Sequence, residues 1–98
     1  MKIRLLDRAE DDLVEGFAFY EEQEVGIGDY FLDSLASDIN SLRLYAGIHP
    51  RHFGRYHRLL SKRFPFAVYY IVAEGTIWIH AVLDCRRDPA WIRERLRE

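Results

Sequence analysis

The sequence predicts an α+β domain in which a strand and an antiparallel helix hairpin pack on a curved antiparallel sheet, followed by a short C-terminal helix. Three observations predict it. Apolar residues recur at helical spacing through the first half of the chain. The period then shortens to that of strands after Pro50. Glu74-Gly75 separates two of those strands by a two-residue turn.

Lys2–Leu6 is a short candidate strand. Asp7-Arg8-Ala9-Glu10 has capping-box spacing, with Asp7 as N-cap and Glu10 reaching back to it. Ala9, Leu13, Phe17 and Tyr20 then share one helical face. Glu10, Asp11, Glu15 and Glu22 occupy the opposite face. The adjacent Asp11 and Asp12 fit the positive end of that helix's dipole. Gly26 and Gly28 break the helix. A second helix is predicted from near Asp29, with Phe31, Leu32, Leu35, Ile39, Leu42 and Ala46 on its apolar face and Gly47 as its stop. Two amphipathic helices joined by so short a turn predict a hairpin.

Tyr56–Lys62 reads as the next strand. Pro65–Ala73 follows, and its near-continuous apolar run suits a strand covered on both faces. In Thr76–Asp84, strict alternation sets Ile77, Ile79, Ala81 and Leu83 against Trp78, His80, Val82 and Asp84, the first set being the better core face. Asp88-Pro89 opens the last helix as N-cap and first residue. Short turns predict a meander with the hairpin on one face, a sandwich of two layers.

The chain has 98 residues, 49% hydrophobic and 31% charged, which fits one folded domain over residues 1–98. A single cysteine, Cys85, allows neither an internal disulfide nor a cysteine-rich zinc site, and fits a reducing cytoplasm. No apolar run approaches the ~20 residues of a membrane span, and no signal-peptide pattern opens the chain. A cytoplasmic protein with no membrane partner is expected.

The net charge of −2 conceals strong segregation. Residues 1–38 hold 11 acids and 3 bases, while residues 39–73 hold 6 bases and no acid. Residues 74–98 balance at 5 of each. A basic stretch with interleaved tyrosines suits phosphate contacts, electrostatic support of phosphodiester cleavage, or an acidic protein segment. Arg55, Arg58, Lys62 and Arg63 supply it, and Arg86-Arg87 follow the last strand. Glycine-rich phosphate loops and nucleophile elbows are absent. His49 and His52, three residues apart, are a weak metal pair without further ligands. No metal or other cofactor is expected. Trp78 and His80, opposite the expected core face, together with Trp91 and Ile92, form a candidate docking surface for a partner.

Three segments carry a resemblance that spans nearly the whole chain. They are Phe17-Ala18-Phe19-Tyr20-Glu21-Glu22-Gln23 with Gly26-Ile27-Gly28-Asp29-Tyr30-Phe31-Leu32, then Lys62-Arg63-Phe64-Pro65-Phe66-Ala67-Val68-Tyr69-Tyr70, then Ala81-Val82-Leu83-Asp84-Cys85-Arg86-Arg87-Asp88-Pro89. In order and spacing they resemble the RelE/ParE toxin superfamily, above all its ParE-like, plasmid-stabilisation branch. The resemblance implies the toxin of a type II toxin–antitoxin system, neutralised by a cognate antitoxin and meeting DNA only through it. It implies one of two ways of inhibiting growth. ParE-like members poison DNA gyrase without established chemistry of their own. RelE-like members cut messenger RNA in the ribosome. A third reading is a non-toxic module that only holds its antitoxin. For a nuclease, the candidates are Arg58, Lys62, Arg63 and Arg86, which match the family's basic set, with His57 as substitute general base. For target binding they are Arg58, Lys62, Arg86 and Arg87. For the antitoxin the expected dock is the surface of Trp78, His80, Trp91 and Ile92. Against a nuclease, no tyrosine or histidine follows Asp88, and Asp84 stands where many relatives carry histidine. The gyrase reading is therefore the expected one.

Overall fold

The computed structural model describes residues 1–97; Glu98, the last position of the expected domain, lies outside the described residues. The chain runs β1 (Lys2–Leu5), α1 (Asp7–Gln23), α2 (Ile27–Asn40), α3 (Leu42–Tyr45), β2 (Arg51–His52), β3 (Tyr56–Leu60), β4 (Phe66–Ala73), β5 (Thr76–Asp84) and α4 (Pro89–Leu96). The five strands form one sheet in the order β1-β5-β4-β3-β2. Strands β2 to β5 are antiparallel neighbours, as the short turns predict. The N-terminal strand takes the remaining edge of β5 and runs parallel to it, so the sheet is mixed.

Helix α1 begins at Asp7, and its cap residue is Leu6, which has no side chain able to bond the helix. The expected capping box is thus displaced by one position and not formed. The second helix is also interrupted. Ser41 accepts the end of α2, its hydroxyl donating to Asp38 C=O at 2.6 Å, and a single further turn forms α3. The two long helices meet closely at glycine. A methyl group on Gly16 would lie 2.5 Å from the Phe31 ring, and one on Gly28 would lie 2.7 Å from Phe17. Glu21 secures the turn between them, its carboxylate accepting the N–H groups of Gly26 and Gly28 at 3.1 and 3.0 Å.

The helix hairpin covers one sheet face. Phe31, Leu35, Ile39 and Leu42 bury against Phe66, Val68, Tyr70, Ile77, Ile79 and Val82. The opposite face is covered too. Tyr56, Ala67, Tyr69, Ala81 and Leu83 bury against Ile92 and Leu96 of α4. The molecule therefore has three layers over part of the sheet, because the C-terminal helix folds onto the far face rather than standing apart.

The alternation of β5 changes hand midway. Tyr70 pairs with Ile79 and Tyr69 with Ala81, which leaves His80 as the extra residue of a β-bulge. Before it, Ile77 and Ile79 face the helix hairpin; after it, Val82 does, and Ala81 and Leu83 turn to the α4 face. The expected single face of Ile77, Ile79, Ala81 and Leu83 is corrected by this one residue, since a pleated strand reverses every later side chain when its count shifts by one.

Candidate functional site

The basic residues of the sequence fall into separate places. His57 and Arg58 are neighbours on β3, so the pleat sends them to opposite faces. His57 stacks on Tyr70, ring centroids 5.1 Å apart, on the helix-hairpin face. Its Nδ1 lies 2.7 Å from His49 C=O, and His49 Nδ1 lies 2.6 Å from the Tyr70 hydroxyl. That hydroxyl also accepts the Gly47 N–H at 3.0 Å. The tautomer of the His49 ring sets which of the two groups donates in that contact. Burial, with His57 nearby, lowers the His49 pKa below the usual 6.5. The two histidines and Tyr70 thus fasten the loop before β2.

Arg58 lies on the other face, directly across from Tyr69. Burial raises the Tyr69 pKa above 10.0 and the Arg58 guanidinium pulls against it. The Tyr69 hydroxyl is buried and has no well-formed hydrogen bond, so the charge of Arg58 is its compensating neighbour.

Lys62, Arg63, Arg86 and Arg87 gather at one end of the sheet. The loop of residues 61–65 joins β3 to β4, and the loop of residues 85–88 leads from β5 to α4. Cys85 N–H donates to Pro65 C=O at 2.9 Å and binds the two loops together. The first loop is also anchored from below, because the Ser61 hydroxyl donates to the buried Asp38 carboxylate at 2.6 Å. All four basic side chains are exposed. Arg86 is not an uncompensated charge. Its Nε and guanidinium NH2 donate to the two oxygens of Asp84 at 3.0 and 2.7 Å. That fork holds the Asp84 carboxyl below the usual 3.8. Arg87 lies over the Trp91 ring, its guanidinium carbon 4.0 Å from the ring centroid. The aromatic floor of this end is Phe64, packed edge-on against Tyr20 and Phe31.

The five residues of the nuclease set are therefore not brought into one site. Lys62, Arg63 and Arg86 share an end of the sheet; His57 and Arg58 lie on β3 with opposite faces between them. Of the docking residues, Trp91 is 38% and Trp78 37% exposed, and they occupy positions beyond opposite ends of the β5 run Ile79–Asp84. His80 packs beside the Tyr56 ring, centroids 5.2 Å apart. Ile92 corrects the expectation of a docking surface. It is 4% exposed and belongs to the core beneath α4, because the apolar side of that helix seats the helix itself.

A feature missed in the sequence lies beside Trp91. A groove of about 320 Å³ runs between α1 and α4 along β5, bordered by Asp12, Gly16, Phe19, Asp84, Arg87 and Trp91. Asp12 does not serve the helix dipole as its position suggested. Its carboxylate is buried, accepts the Val82 N–H at 3.0 Å and pairs with Arg95 at 2.5 Å. Burial raises its pKa above 3.8, more than Val82 and Arg95 lower it. The available signal was its spacing: Asp12 lies three residues after Ala9 and four before Gly16, the buried stripe of α1.

No protein-family model and no curated protein sequence matches the chain. Among solved structures, it is similar to a chain of one described as the chromosomal ParDE TA system from P. aeruginosa. The TM-score is 0.77 at 17% identity, over 84% of this chain and 92% of that one. At that identity the likeness shows the fold alone, an α+β fold shared with that chain.

Proposed function

We propose that this chain is the toxin of a type II toxin–antitoxin pair, held inactive by a cognate antitoxin, and that it inhibits growth in the cytoplasm by binding DNA gyrase. The superposition on a chain of a ParDE system over nearly the full length of both supports the toxin reading. The observation that carries the choice of mechanism is the scatter of the basic set. A general base and the cations that stabilise a cleaving phosphate must converge within hydrogen-bond reach of one reacting group. Here the pleat divides His57 from Arg58, and Asp84 neutralises Arg86. Binding makes a weaker demand, since exposed charges on one end of a molecule steer and grip a partner without common focus on an atom. Lys62, Arg63 and Arg87 meet that demand, with Arg58 outside the group.

Two measurements test this. Inducing the chain alone in bacteria is expected to stop division while labelled amino acids continue to enter protein. Purified protein is expected to block supercoiling by gyrase, and Lys62→Ala with Arg87→Ala together to weaken the block by roughly tenfold or more. Collapse of protein synthesis within minutes would instead indicate messenger cleavage. Normal growth would leave only an antitoxin-binding module.

A further inference from the structure

Strand β5 has nine residues, but β1 pairs only with the first four, Thr76–Ile79. Past the bulge, the outer edge of β5 faces the groove between α1 and α4. Which backbone groups point there follows from the ladder on the other side. Cys85 N–H bonds Pro65 C=O, and hydrogen-bonded pairs alternate along an antiparallel ladder. Leu83 therefore bonds toward β4, and Val82 and Asp84 direct their N–H and C=O groups into the groove.

Two of those four groups are already used. Val82 N–H donates to Asp12 at 3.0 Å, and Asp84 C=O accepts the Arg87 N–H at 3.2 Å. Among the described residues, no strand takes the other two, Val82 C=O and Asp84 N–H. An antiparallel neighbour bonds both groups of one residue, and each residue here has one occupied. A parallel neighbour bonds the C=O of one residue and the N–H of the residue two further on. Val82 and Asp84 offer that pair. The same pattern joins β1 to β5 upstream, where Lys2 and Leu6 donate to Gly75 and Ile79 C=O at 3.3 and 3.0 Å.

The side-chain surroundings define the occupant further. A residue straddling Leu83 shares its face, which is that of α4. There Arg87 stacks on Trp91 and has no ion pair among the described residues. The residues on either side of it share the face of Val82, toward Gly16, Phe19 and Phe66. We propose that an extended segment of the partner protein adds to β5 as a parallel strand in line with β1. It places an acidic residue beside Arg87 and an apolar residue on each side of it. This rests on the toxin–antitoxin reading, in which the partner is the antitoxin.

The test uses the full chain in complex with the protein encoded beside it. Backbone amide exchange is followed by NMR, free and bound, and affinity by calorimetry. The Asp84 amide is expected to exchange at least roughly tenfold more slowly in the complex. Arg87→Glu, at an exposed position, is expected to weaken the complex by roughly tenfold or more, while Arg93→Glu on the neighbouring helix α4 changes it less than about twofold. A complex that leaves Asp84 exchange unchanged overturns the added strand, even if Arg87→Glu weakens binding. Equal losses from Arg87→Glu and Arg93→Glu overturn the placement of the acidic residue. Either result leaves the toxin–antitoxin reading intact. Absence of any complex overturns that reading and the strand with it.

Discussion

Asp12 shows how much one buried carboxylate organises. It satisfies a strand N–H that no other strand reaches and pairs with a helix at the far end of the sequence. Removing it strands both partners. Asp12→Ala is expected to cost about 3 kcal/mol, and urea unfolding would read that loss; an unchanged midpoint would show the pair to be idle. His49 supplies a pH effect. Its ring gains a proton less readily folded than unfolded. Its contribution is therefore complete above 6.5 and lost as pH falls through the lower folded value. His52, also lowered by burial, acts in the same direction. Between about pH 7 and pH 5 the protein is expected to lose stability, and His49→Asn to lose less. Equal slopes for the two proteins would remove His49 as a source. Neither residue announced its role in the sequence, because an aspartate early in a helix and a histidine in a loop are ordinarily solvated.

Elements were more legible than residues. Helices α1 and α2 and strands β3 to β5 follow from apolar period and turn chemistry, since each buries a continuous face. The parallel placement of β1 was not legible, because four residues carry too little pattern to state a neighbour. The bulge was hidden for a related reason: Ala81, Val82 and Leu83 are all apolar, so neither register leaves a polar residue misplaced. The Gly16 contact was hidden as well, as only the packed hairpin shows why that helical glycine lacks a side chain. Gly16→Ala would gain about 1 kcal/mol in helix propensity. The added methyl group would lie 2.5 Å from the Phe31 ring, which is wholly buried and has no open side to retreat into, and such overpacking costs about 1–3 kcal/mol. A net loss of thermal stability is expected on a melting curve; a higher melting temperature would mean that the hairpin opens without penalty.

For the whole molecule, the decisive contact is between α4 and the sheet. Tyr56 hydroxyl donates to Leu96 C=O at 2.9 Å, while Arg8 and Arg95 each donate to the other's backbone carbonyl at 2.9 and 3.2 Å. The last helix thereby holds the first helix and the third strand at once. Leu96→Ala is expected to cost about 2–4 kcal/mol, a large share of the roughly 5–15 kcal/mol that stabilises an ordinary domain. The expected signature is a lower urea midpoint with an unchanged slope. A reduced slope would mean that α4 detaches alone and that the third layer is not part of one cooperative unit. The candidate site is only partly a property of this scale in the sequence. Its basic end was visible as a charge run, but the groove exists only once α1, β5 and α4 have met.

The extra residue at His80 gives β5 something like a reading frame. Upstream and downstream halves each alternate correctly, yet they are out of phase with one another. A hybrid assembled from two such proteins would have to inherit both halves with the same parity. Splices on either side of position 80 that preserve the count would leave both cores filled. A splice that drew His80 into the ladder opposite Tyr69 would turn Val82 outward and send Leu83 into the helix-hairpin core, without altering a single residue type.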